Sequence, residues 1–130
     1  MYEVDVEYQS ASRYKATSLN YEVKIDFLKE DGSIDGITPP ALFLASVGSC
    51  LAVYLERYLN GAKIKFDTFS INVKSDICKD SPHYLKVIDV TIGLKGADMD
   101  SRRKEALLEF VRNCPVHNTL MHKPTVTIRL

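Results

Sequence analysis

A chain of 130 residues with 17 Lys and Arg against 17 Asp and Glu carries no net charge, so no positive field gathers nucleic acid or an anionic membrane. The 45% apolar and 26% charged residues are those of a globular protein, which excludes disorder over most of the length, and that length suits one domain, residues 1–130. Met1-Tyr2-Glu3-Val4-Asp5-Val6-Glu7 lacks the basic and apolar regions of a secretory leader, and no apolar run is expected to approach the ~20 residues of a membrane span, which places the protein in the cytoplasm.

Residues 2–8 alternate large and acidic side chains with period two and predict a strand with one wet face. Residues 13–17 and 21–27 predict two further strands, with breaks at 9–12 and 18–20. An antiparallel meander of this kind has an apolar face without cover and must lie on a helix or on a partner chain. Residues 29–36 are charged and contain Gly32 and Gly36, an exposed loop suited to gating access to a site.

Thr38 followed by Pro39 is a helix start, because threonine caps free N–H groups and a first-turn proline has none to waste. The helix is predicted over 39–59, with Asn60-Gly61 as its stop. Ala45, Ser46, Gly48, Ser49 and Ala52 surround Cys50, so the middle of this helix is apolar and small, as in a buried central helix. Residues 64–77 and 83–94 read as two strands joined by a hairpin-like connection over 76–82. Asp100 or Ser101 then caps a helix whose Ala106, Leu107, Phe110, Val111 and Cys114 share its buried face, so that this helix ends at Cys114. Pro115 opens a short helix through Met121, and 125–130 predict a closing strand. The sum is an α+β fold.

Three cysteines, an odd number in a reducing compartment, argue against a structural disulfide framework. No Cys-x-x-Cys and no histidine ladder is present, so neither a metal nor any other cofactor is expected. Cys50 and Cys114 sit in or at the end of helical segments, which suggests thiol chemistry; the alternative for each is a small buried apolar residue. Cys78 falls in the 76–82 connection and reads as a bystander. His117 is a base for Cys114 or a structural hydrogen-bonding residue, and His83 and His122 read as solvated. Tyr54 and Arg57 lie near the face of Cys50, as activating groups or as packing at a dimer interface, whereas Glu56 points elsewhere.

Thr38-Pro39-Pro40-Ala41-Leu42-Phe43-Leu44-Ala45-Ser46-Val47-Gly48-Ser49-Cys50, the segment Cys114-Pro115-Val116-His117-Asn118-Thr119-Leu120 and the closing Val126-Thr127-Ile128-Arg129-Leu130 together resemble the OsmC/Ohr family, the osmotically inducible and organic hydroperoxide resistance proteins. The resemblance implies an intertwined homodimer with an N-terminal meander, a long central helix carrying Cys50, a second β-hairpin, a helix ending at Cys114 and a final strand. It implies a thiol-dependent peroxidase in which Cys50 attacks an organic hydroperoxide and Cys114 resolves the product, with a lipoyl or thioredoxin-type dithiol as reductant. It also implies an arginine that activates Cys50, for which Arg13 is the candidate as the only arginine before the central helix. The family's arginine-holding carboxylate falls at Pro40 or Ala41, neither of which accepts a salt bridge. That departure supports a second reading, an OsmC-like scaffold that binds a small apolar ligand or senses redox state without turnover.

Overall fold

The computed structural model describes residues 1–130, which form two compact units, Met1–Phe43 and Leu44–Leu130. Helix α1 (Pro39–Gly61) begins in the first and runs through the second. The first unit holds β1 (Asp5–Ser10), β2 (Arg13–Ser18) and β3 (Tyr21–Ile25), paired antiparallel in the order β1-β2-β3. The predicted meander is present, and its first hairpin turns through Ala11 and Ser12 at φ 38° and 66°, values that match the strand twist.

β3 ends two residues short of the predicted Phe27 because the Asp26 carboxylate accepts the Phe27 N–H at 2.8 Å and turns the chain. The following loop folds back along β3: Ile37 N–H donates to the Lys24 carbonyl at 3.0 Å, and Asp26 N–H to the Ile37 carbonyl at 3.3 Å. Gly36 permits this approach, since a Cβ there would lie 2.7 Å from the Lys24 carbonyl oxygen. The predicted exposed loop is thus hydrogen-bonded to the end of β3, with Lys29 N–H donating to the Ser33 carbonyl at 3.1 Å to close a turn inside it. Val4, Val6, Tyr8 and Tyr21 are all more than half exposed, so the apolar face expected to need cover stays open in one chain.

In the second unit, Val47, Leu51, Leu55 and Leu59 recur every four residues along α1 and form one buried stripe. Leu55 and Leu59 are fully buried, each contributing about 1.5–3 kcal/mol by leaving water. The hairpin β4 (Thr68–Lys74) and β5 (Asp89–Lys95) places Phe69 opposite Leu94, Ile71 opposite Ile92 and Val73 opposite Val90, and all of these but the exposed Val90 pack against that core. A Cβ at Gly48 would lie 3.0 Å from a methyl of Val73, so helix and hairpin approach closely at the small-residue centre of α1.

The expectation that no apolar run approaches a membrane span in length does not hold, because α1 has 23 residues and a mean hydropathy of 1.4 over its most apolar window. Its buried stripe belongs to the core of the unit, and Glu56 and Arg57 interrupt it on the exposed side.

Helix α2 (Ser101–Val111) is capped by Asp100, whose carboxylate accepts the Arg103 N–H at 2.8 Å. Contrary to expectation, this helix does not reach Cys114. A residue before proline is driven out of the helical region, and Cys114 is extended at φ −68°, ψ 145° ahead of Pro115, the first residue of α3 (Pro115–His122). The predicted closing strand is also absent: residues 125–130 pair with nothing, and Val126 and Ile128 are 77% and 90% exposed. The alternation is real, but a strand exists only where a neighbouring edge receives its N–H and C=O groups.

Candidate functional site

Cys50 lies at the middle of α1, three residues after Val47 and one before Leu51, both buried. This places the Cys50 side chain at the border of the buried stripe, half-buried and in contact with the core cluster. Cys114 is a fully buried member of the same cluster. Its extended backbone makes it the N-cap of α3, and its sulfur accepts the His117 N–H at 3.3 Å. The unpaired amides of a helix start are thus met by a thiol where a serine or aspartate is usual.

The two thiols are free, and both belong to or pack against one core cluster. Burial pushes the Cys114 thiol above its ordinary range, the His117 N–H opposes this, and the adjacent Cys50 adds to it. Cys114 is accordingly held in its protonated form. The structure therefore places at one cluster two residues that lie 64 positions apart in the sequence. Val47, Leu51, Val111 and Cys114 pack as one cluster to do so.

Arg13 lies at the start of β2 in the first unit. Its Nε is 3.8 Å from Oδ2 of Asp26, which has 1% of its side chain exposed. Asp26 also accepts the Asp35 N–H at 2.9 Å and the Phe27 N–H at 2.8 Å, and Lys29 Nζ stands 3.8 Å away. The Asp35 and Phe27 amides, with Lys29 and Arg13 behind them, outweigh desolvation and hold this carboxyl below the usual range. Asp26 is the functional candidate that sequence reasoning missed. It stands in an alternating polar and apolar run where nothing separates it from Glu22 or Lys24. The one available signal was its place at the end of the strand, just before a glycine-bearing loop.

The other candidates resolve as packing residues. Tyr54 packs at a tilt against Phe110 of α2, with ring centroids 5.8 Å apart, and Arg57 sits over the Tyr54 ring at 5.1 Å. His117 turns its backbone, not its ring, toward Cys114, and its Nδ1 is buried without a hydrogen-bond partner. Cys78 donates its backbone N–H to the Tyr84 carbonyl at 2.8 Å in the β4–β5 connection. The rings of His83 and His122 face the carbonyls of Cys78 and Asn118 at 3.0 and 2.8 Å.

The sequence profile of the family described as OsmC-like protein matches residues 29–129, a span that includes both Cys50 and Cys114 and leaves out Arg13 and Asp26. Comparison with curated proteins gave no match. Among solved structures, the chain is similar to the OsmC-like protein from Mycoplasma pneumoniae at a TM-score of 0.84 and 18% identity, over 94% of this chain and 88% of that one. An organic hydroperoxide resistance protein from Elizabethkingia anophelis matches at a TM-score of 0.71 and 20% identity, over 94% and 90% of the two chains. The organic hydroperoxide resistance protein OhrB of Bacillus subtilis matches at 0.63 and 20%, over 94% and 91%. At these identities the likeness is one of fold, and with the profile match over most of its length the chain belongs to the OsmC-like protein family.

Proposed function

We propose that the protein is a thiol-dependent peroxidase that reduces organic hydroperoxides through Cys50 and Cys114. The observation that carries this reading is the placing of both cysteines at one core cluster, Cys50 half-buried at its edge and Cys114 fully buried within it. The Cys50 thiolate attacks the outer oxygen of a hydroperoxide, the O–O bond breaks, and the alkoxide leaves and takes up a proton as an alcohol. Cys50 becomes a sulfenic acid, the sulfur having lost two electrons. The Cys114 sulfur then attacks the Cys50 sulfur, the S–O bond breaks, and water leaves as the disulfide forms. A dithiol of the lipoyl or thioredoxin class returns the two electrons by thiol–disulfide exchange and leaves as its own disulfide.

In this reading Cys50 is the nucleophile because it is the more accessible thiol, and the protonated Cys114 waits for the sulfenic acid. Arg13 supplies the positive charge that stabilises the Cys50 thiolate, and Asp26 holds Arg13 in place of the carboxylate missing at Pro40 and Ala41. The working unit is a homodimer in which Arg13 of one subunit serves Cys50 of the other. Support for it comes from the open apolar face of the β1–β3 sheet and from the exposed side of α1, where Ala45, Ser46 and Ser49 leave room for a second backbone. The protein acts in the cytoplasm, where dithiol reductants are supplied.

The test is stopped-flow consumption of cumene hydroperoxide with dihydrolipoamide present. Turnover by the wild type and its loss in Cys50→Ser are expected, and equal rates in the two proteins would sink the reading.

A further inference from the structure

Cys114 carries two tasks on one sulfur. As N-cap of α3 it accepts the His117 N–H at 3.3 Å, and in the peroxidase reading it turns that same sulfur toward Cys50. The start of α3 hangs on few polar contacts. Pro115 has no N–H to give, the Asn118 N–H reaches the Cys114 carbonyl at 3.0 Å, and the Asn118 side-chain amide donates to the Asn113 carbonyl at 3.2 Å. With the bond from His117 to the sulfur, two of the three that hold this turn end on Cys114.

The two tasks compete. A disulfide fixes the dihedral about its S–S bond near about ±90°, so the direction of the Cys114 sulfur is then set by Cys50 and not by His117. The backbone has no slack to make up the difference. Cys114 is extended at φ −68°, ψ 145° ahead of Pro115, and its side chain is fully buried in the cluster that holds Leu107 and Val111. His117 adds a bias toward release, because its ring Nδ1 is buried without a partner and gains water once the turn loosens.

We infer that forming the Cys50–Cys114 disulfide uncaps α3, so that the first turn of this helix, residues 115–118, is closed in the dithiol protein and loosened in the disulfide protein. The switch rests on the peroxidase reading for the pairing of the two cysteines. Its consequence falls on the reductive half of the cycle. Thiol–disulfide exchange needs access to a sulfur of the bond, and full burial seals the Cys114 side in the reduced protein. Loosening the turn that follows Cys114 opens that side only while there is a disulfide to reduce.

The experiment is amide hydrogen exchange of the full chain, resolved by residue with NMR, with the disulfide made by diamide so that peroxide turnover plays no part. Diamide takes up the two thiol hydrogens as its hydrazine, a dithiol returns them, and peptide mapping identifies the Cys50–Cys114 link. On oxidation the His117 amide is expected to exchange at least about fivefold faster, and to slow again with dithiol, while the Arg103 amide, capped by Asp100 on α2, keeps its rate. In Cys114→Ser the hydroxyl keeps the cap and forms no disulfide, so the His117 amide stays slow with or without diamide. In Cys114→Ala cap and thiol are both gone, and the amide is fast in either condition; should that variant not fold, the wild-type comparison decides alone. A Cys50–Cys114 disulfide with an unchanged or slower His117 amide overturns the inference and leaves the peroxidase reading standing. A slow His117 amide in folded Cys114→Ala overturns it as well. Failure of diamide and hydroperoxide alike to link Cys50 to Cys114 overturns both.

Discussion

Arg13 meets the carboxylate of Asp26 at 3.8 Å, and that carboxylate is almost wholly removed from solvent while the guanidinium is 45% exposed. One end of the pair is fixed by backbone amides and the other is free to reach outward. Asp26→Asn keeps the shape but loses the charge and leaves an amide N–H₂ facing donors. It is expected to lower the melting temperature by several degrees, and Arg13→Ala by less, because Asp26 keeps its amides in the second case. Thermal melts of the two variants measure this directly.

The same carboxyl sets a pH dependence. Its folded-state pKa is depressed, so the stability it contributes is fully present above the unfolded value of about 3.9 and is lost as pH falls through the lower folded value. Denaturation midpoints of the wild type are therefore expected to drop on acidification below about pH 4, with a shallower drop in Asp26→Asn. Parallel curves for the two proteins would contradict this assignment.

The core of the second unit rests on α1. Leu55→Ala removes a fully buried side chain from between α1 and its neighbours and is expected to cost about 2–5 kcal/mol in urea denaturation. Gly48→Leu forces the helix away from Val73 and is expected to unfold the unit or to separate Cys50 from Cys114. A wild-type melt for Gly48→Leu, with the thiols still able to bridge, would refute the close approach described here.

Much of this fold is legible in local chemistry. Thr38 caps α1, with Ala41 N–H 3.4 Å from its hydroxyl, Asp100 caps α2, and Pro115 starts α3, each set by side chains within four residues. What escaped the sequence was what depends on distant partners. Asp26 looks like any polar residue of an alternating strand until Arg13 and Asp35 arrive from elsewhere in the chain. Residues 125–130 alternate as a strand does and remain unpaired because no edge meets them in one chain. Cys114 was placed on the right face but in the wrong element, since Pro115 acts on the residue before it more strongly than helical periodicity does. The Cys50 and Cys114 segments were recognisable individually; their meeting at one core cluster required both helices to be packed.

Burial that raises the Cys114 thiol predicts how the resolving step responds to pH. With Cys114 mostly protonated at neutral pH, disulfide closure after sulfenic acid formation is expected to speed up by about tenfold per pH unit between pH 6 and 8. Rapid quench with a sulfenic-acid trap reads this rate. In Cys114→Ser the trap is expected to capture Cys50 quantitatively at every pH, and a pH-independent wild-type rate would remove the buried thiol from the step.

The central claim is that Cys50 and Cys114 act as one redox pair, and its most direct measurement is peptide mapping after one equivalent of an alkyl hydroperoxide without reductant. The account predicts a Cys50–Cys114 cross-linked peptide, an intact mass lower by two hydrogen atoms, a free Cys78, and full reversal by a dithiol. Cys50 and Cys114 both still reduced, or Cys50 carried to sulfinic acid with Cys114 untouched, would contradict it.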